Sequence, residues 1–300
     1  MNLQILELDS KLVGQRLGQK LYNPKGNLLL GLGAEIKEFH LTKIKEVGYR
    51  SVYALNGPPS AISKVQGHVI SEKLLASAPI TLRNIYERLK GRDKIQISNA
   101  KKDLSVLADA LIREVNIRMH NPPDILDLKR QNDYIYQHAI NVAAYAILIG
   151  QSAQYHQLKL FDLALAALLH DFGMTYVDDE ILYKPDELDE KETMEMRKHT
   201  ILGFKHLARN CFIKGLIAVV CMQHHERYDG AGYPEGKVGD DIHEYSQIIS
   251  VADFFDAYTS DRPYRRLHTI DEAVQYINDQ DGRQFSPRMV KHFLRFFDSN

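Results

Sequence analysis

Residues 222–234 read MQHHERYDGAGYP. Two adjacent imidazoles, His224 and His225, close the apolar run IKGLIAVVCM and stand directly before an Asp-Gly-Ala-Gly-Tyr-Pro loop. The apolar run predicts a buried helix over about 212–226. A packed core has little use for a histidine pair at the end of such a helix, whereas a metal site does. If the pair binds metal, other helices must bring further ligands to it.

Working outward from 224, four more segments offer them: YQHAINVAAYA (His138), ALLHDFGM (His170, Asp171), RKHTILG (His199) and SVADFFDA (Asp253). Each is separated from the next by roughly one helix and one loop, the spacing by which antiparallel helices converge on a central site. His138 shares a helical face with Val142, Tyr145 and Ile149, and Asp253 shares one with Ile249. An inward-facing carboxylate is costly unless it is paired or bound to a cation. Neighbouring helical residues lie ~100° apart, so each doublet can reach two ions, or one member can bridge them. His40, His68, His120, His156, His206, His243, His268 and His292 read as ordinary core or boundary histidines.

Five imidazoles and two carboxylates without a thiolate suit Fe, Mn, Zn or Ni. Seven ligands are too many for one tetrahedral zinc. Two six-coordinate ions sharing Asp171 and a bridging hydroxide accommodate them. The ions would outweigh the two carboxylates and attract a phosphodiester locally. The net charge of -1 gives no bulk attraction for a nucleic-acid polymer.

The organisation is mainly α. Residues 1–57 predict a small α/β or β-rich module, with short strands around the NPKGN turn, a helix ending at Gly48 and a strand after it. NGPPS at 56–60 is the expected linker. Residues 58–120 read as a helical connector, with Leu104, Leu107, Leu111 and Val115 on one face; it can cap the later domain or pair with a second subunit in a homodimer. NPPD at 121–124 breaks that helix, and 121–300 form a helical domain. Its helices are expected near 132–151, 158–171, 188–208, 212–226, 244–258, 270–279 and 287–297. Two cysteines outside any CxxC pattern, acids at the N-terminus and no apolar run long enough to span a bilayer predict a cytoplasmic protein without a membrane segment.

The pair HD at 170–171 resembles the HD phosphohydrolase superfamily. HHERYDGAGYP at 224–234, followed by VADFFDAYTSDRPYR at 251–265, is similar to the HD-GYP subfamily over roughly residues 120–300. The N-terminal module resembles, more weakly, the segment often found ahead of such domains. The resemblance implies an all-helical HD-type metallohydrolase domain in a bacterial protein. It implies two, sometimes three, iron or manganese ions, and hydrolysis of cyclic di-GMP to pGpG and on to GMP. The ligands it implies are His138, His170, Asp171, His199, His224, His225 and Asp253. It further implies that Tyr233 touches the ligand or a partner, since the GYP loop is associated with GGDEF-type cyclase domains.

Arg262, in SDRPYR, is expected to grip a non-bridging phosphate oxygen. Asp256, one turn after Asp253, stands either behind the ligands or as a helix-stabilising acid. Glu226 and Arg227 are expected to pair with each other or with neighbours. Two positions depart from the family pattern. Tyr134 stands where relatives with a third metal carry Glu, with Asp133 one step away, which favours two metals. Met174 stands where many relatives carry the lysine of HDxGK, so weaker substrate capture, slower turnover or a substitute cation such as Arg262 or Arg227 is expected. The main alternative is a sensor of cyclic di-GMP or a GGDEF-binding scaffold; another is a hydrolase of a different nucleotide.

Overall fold

The computed structural model describes residues 3–18, 20–23, 27–47, 49, 51–55, 69–118, 134–184, 186–259 and 268–297. In the N-terminal part, β1 (Leu3–Glu7) and β2 (Arg16–Leu17) flank β5 (Ser51–Leu55) in an antiparallel sheet, with Leu3 opposite Leu55. A two-stranded ribbon, β3 (Leu21–Tyr22) and β4 (Leu28–Leu30), and one helix, α1 (Glu38–Glu46), complete it. Leu12, Leu17, Leu21, Ile36, Ile44 and Val52 form its own apolar core. This is the α/β module that the residue pattern predicts. The NGPPS linker and the NPPD break lie outside the described residues.

A second, larger core holds the rest. The apolar faces of α2 (Glu72–Lys90) and α3 (Lys94–Arg118) enter it through Leu82, Ile85, Leu89, Leu104, Leu111 and Val115. They pack with α4 (Tyr134–Ser152) and α5 (Gln157–Leu169). Helix α4 is apolar on every side and buried almost throughout, which makes it the central helix. Its buried polar residues Gln137, His138 and Asn141 all lie in its first half. Around it follow α6 (Asp179–Leu182), α7 (Glu190–Arg197), α8 (His199–Arg209), α9 (Gly215–Gln223), α10 (Glu244–Thr259), α11 (Ile270–Asp279) and α12 (Pro287–Leu294). Among the described residues no helix is long and apolar enough to cross a membrane.

Three of the boundaries that differ from the sequence expectation fall at a histidine. The single helix expected over 188–208 is broken at Lys198 into α7 and α8. There His199 Nδ1 donates to the Met196 carbonyl at 2.7 Å and the Thr200 hydroxyl donates to Arg197 O at 2.9 Å, so side chains satisfy the end of α7. Helix α5 stops at Leu169 rather than 171, and its last turn tightens into a 3₁₀ turn over Phe172–Tyr176. Helix α9 stops at Gln223, with His224 as its C-terminal cap.

Two contacts hold the turn that follows the His170–Asp171 doublet. Gly173 lies against α8 so closely that a Cβ there would stand 1.9 Å from His199 O, and Gly203 faces it with the Gly173 nitrogen 3.0 Å from its own hypothetical Cβ. From the other side comes the end of α2. The Tyr86 hydroxyl donates to Leu168 O at 2.7 Å, Lys90 Nζ to Thr175 O at 2.6 Å, and His206 Nε2 to Leu89 O at 2.8 Å. Tyr86 also meets Phe172 edge to face at 5.0 Å.

A methyl group at Gly173 must therefore push α8 away. Gly173→Ala is expected to cost at least about 2–3 kcal/mol of unfolding free energy in urea and to lower bound metal per chain. A stable, fully metallated variant would show that the backbone contact sets nothing.

Candidate metal centre

The three helix ends deliver the histidines, and backbone carbonyls orient them. His170 Nδ1 donates to Ala167 O at 2.8 Å, His199 Nδ1 to Met196 O at 2.7 Å and His224 Nδ1 to Val220 O at 3.1 Å. With Nδ1 carrying the proton, each ring turns its Nε2 lone pair inward. His138 is held differently: its Nδ1 lies 2.6 Å from Asp256 Oδ2, and Asn141 Nδ2 donates to Asp256 Oδ1 at 2.8 Å. Asp256 is fully buried and stands behind the ligand, the first of the two roles open to it from sequence.

The structure brings six of the seven candidates together in two overlapping sets. Asp171, His199, His224 and His225 each offer a donor atom, all within 4.8 Å of one another, and so do His138, His170 and Asp171. Asp171 belongs to both. Its Oδ1 is 3.5 Å from His199 Nε2 and 3.4 Å from His224 Nε2, while its Oδ2 is 3.4 Å from His170 Nε2 and 3.9 Å from His138 Nε2. Asp253 also touches one member of each set, with Oδ1 at 2.9 Å from His138 Nε2 and Oδ2 at 3.9 Å from His225 Nδ1. Arg262 and Asp133 lie outside the described residues, as does the Tyr134 side chain.

The electrostatics are those of a site built around positive charge. Burial opposes the ionised form of Asp171, yet the surrounding His170, His224 and His199 hold its carboxyl well below the usual range. Burial likewise works against ionised Asp253, but His138, His225 and His170 keep it low. Burial pushes His199 down to about 4, and burial with the adjacent His224 pushes His225 well below its ordinary value. These rings are neutral at pH 7, the form that ligates metal. His138 goes the other way: burial disfavours its charge, but bonds to Asp253 and Asp256 outweigh that.

The donor set passes a direct test of fit to a divalent cation. His170 Nε2 and Asp171 Oδ1 are buried without a hydrogen-bond partner, which is costly unless a cation completes them. The donors are imidazole nitrogen and carboxylate oxygen, as borderline and hard first-row ions prefer.

The loop after the histidine pair is tied down at both ends. Glu226, 2% exposed, accepts from the backbone N–H groups of Glu235 (2.7 Å) and Lys237 (3.1 Å). Gly232 has no room for a side chain, since a Cβ would lie 2.3 Å from Arg227 N. Tyr233 is thereby stacked on His225, with ring centroids 4.9 Å apart. Arg227 does not face the centre as a substitute cation. It binds Asp229 through two nitrogens, at 3.1 and 2.7 Å, and Gln284 at 3.0 Å, so it staples the loop to the segment before α12. Glu226 and Arg227 thus use neighbours rather than each other.

The model of the HD domain family matches residues 121–289, more than half of the chain. The chain belongs to the HD domain family. Its HHERYDGAGYP run places it in the HD-GYP branch. This HD-GYP chain is 44% identical over 133 residues to the cyclic di-GMP phosphodiesterase response regulator RpfG of Xanthomonas campestris, covering 44% of itself and 35% of that protein. It is 28% identical over 289 residues to the cyclic di-GMP phosphodiesterase PA4108 of Pseudomonas aeruginosa, covering 90% of itself and 69% of the relative. The HD-GYP chain thus spans about a third of the first relative and about two thirds of the second. In fold it is similar to Bd1817, an HDG"Y"P protein from Bdellovibrio bacteriovorus, with a TM-score of 0.59 at 17% identity over 99% of this chain and 100% of that one.

Asp256 acts on the centre only through His138. Asp256→Asn is expected to weaken binding of manganese by about 10–100-fold in equilibrium dialysis. Unchanged affinity would leave Asp256 a purely structural acid.

Proposed function

We propose that this chain is a cyclic dinucleotide phosphodiesterase that hydrolyses cyclic di-GMP to linear pGpG at a binuclear iron or manganese centre. One observation carries the proposal: the buried Asp171 carboxylate is shared by two sets of imidazoles, immediately beside the GYP loop. The names of the two relatives support the substrate. Their names describe longer proteins, so the activity of the whole protein is part of the proposal, as are a cytoplasmic setting and GGDEF-domain partners at the GYP loop.

His199, His224 and His225 would hold one ion, His138 and His170 the other, with Asp171 between them and Asp253 reaching both sets. Ions bound there supply a water of lowered pKa as nucleophile and Lewis acidity towards a phosphoryl oxygen. The protein's part is to hold its donors rigidly. The carbonyl bonds at Nδ1 fix three rings, and Asp256 fixes His138. Burial and the nearby Asp171 and Asp253 raise the Tyr233 pKa, so its hydroxyl remains a hydrogen-bond donor at the rim of the site at neutral pH. No side chain is asked to act as a general base.

Met174 is half-buried and brings no positive charge to the ligand turn, which supports a second reading as a low-turnover sensor. Product formation separates the two. Protein purified without oxygen, loaded with iron or manganese and given cyclic di-GMP is expected to yield linear pGpG by chromatography. Intact substrate over a fully metallated protein would favour the sensor. Asp171→Ala is expected to lose metal and activity together, and full activity in that variant would end the binuclear reading. Met174→Lys is expected to lower KM about tenfold where no other cation serves the phosphate; no change would show that another cation already does.

A further inference from the structure

Arg197 ends α7, two residues before His199. Its guanidinium carbon stands 4.7 Å from the centroid of the Tyr233 ring, and that ring is stacked on His225. Cation, phenol and imidazole therefore form a column whose inner member belongs to one of the two donor sets. The Arg197 side chain is exposed, and among the described residues no carboxylate pairs with it. Nearby cations are engaged: Lys184 with Glu192, Lys198 with Glu195, and Arg227 with Asp229 and Gln284. Attraction to an aromatic face positions a guanidinium without neutralising it. The charge and the planar fork of donors stay available to an oxyanion.

We propose that Arg197, held by Tyr233, grips a non-bridging phosphate oxygen of the substrate and supplies the cation that Met174 does not. The assignment rests on the phosphodiester reading above. It makes Tyr233 a positioning residue for Arg197 as well as a donor in its own right. Among the described residues the Arg197 side chain makes no hydrogen bond or ion pair: its carbonyl, not its guanidinium, receives the Thr200 hydroxyl. Substitution should leave the fold and the metal donors intact.

The test is equilibrium binding of the bis-phosphorothioate analogue of cyclic di-GMP, which resists cleavage, to manganese-loaded full-length protein, with metal content measured in the same samples. Arg197→Met is expected to weaken binding at least about tenfold at unchanged metal content. Arg197→Lys should recover part of the loss, since it keeps the charge but not the fork. Tyr233→Leu should weaken binding in the wild-type background and weaken it less in Arg197→Met, where only the hydroxyl contact is left to lose. Wild-type affinity in Arg197→Met overturns the assignment and leaves the phosphodiester reading standing. Failure of the metallated wild-type protein to bind the analogue overturns that reading and the assignment with it.

Discussion

Asp171 places a carboxylate against the Nε2 atoms of His170, His199 and His224 at 3.4–3.5 Å, with one oxygen buried and unpartnered. Desolvating an ion of that kind costs several kcal/mol on the order-of-magnitude scale for protein interiors. A cation held between the imidazoles and the carboxylate offsets that cost. The rest of the helical domain can be understood from this constraint. Helix α5 ends where it must release His170 and Asp171, and α9 ends where it must release His224. Both helices aim their C-termini, with their partial negative charge, towards the same point. Helix α4 then brings His138 through an otherwise apolar core, with Asp256 and Asn141 satisfying what a hydrocarbon interior cannot.

Much of this was legible in the residues. Periodic apolar faces mark α3, α4, α5 and α10, and His138 and Asp253 stand out because they occupy such faces. The doublets at 170–171 and 224–225 stand out because a core has no other use for them. What periodicity did not show was where helices stop. The stops at 169, 198 and 223 are made by imidazole Nδ1–H groups and a threonine hydroxyl taking over backbone carbonyls, a competition between side chain and helix that leaves no periodic trace.

Other features were illegible for a different reason: they depend on contacts between distant segments. Gly173 and Gly203 are ordinary letters in the sequence, and only the approach of Gly173 to the His199 carbonyl and to Gly203 explains why it has no room for a side chain. Arg227 invites a role as a phosphate ligand because it follows the histidine pair; the structure spends it on Asp229 and Gln284. Arg197 has the opposite history. An arginine in MEMRKH looks like any solvated helix end, and its meaning comes from Tyr233, which arrives from a loop thirty-six residues later.

The grip of α2 on the ligand turn has a practical side. Tyr86, Leu89 and Lys90 precede residue 121, where the recurrent family pattern begins, yet they bond to Leu168, His206 and Thr175 and cover Phe172. A fragment cut at residue 121 would strip the Leu168 and Thr175 carbonyls of their donors, deprive His206 of its acceptor and leave one edge of Phe172 in water. The smallest autonomous folding unit is thus wider than the stretch that family resemblance marks out. A displacement of α2 along its axis would pull directly on the backbone that presents Asp171.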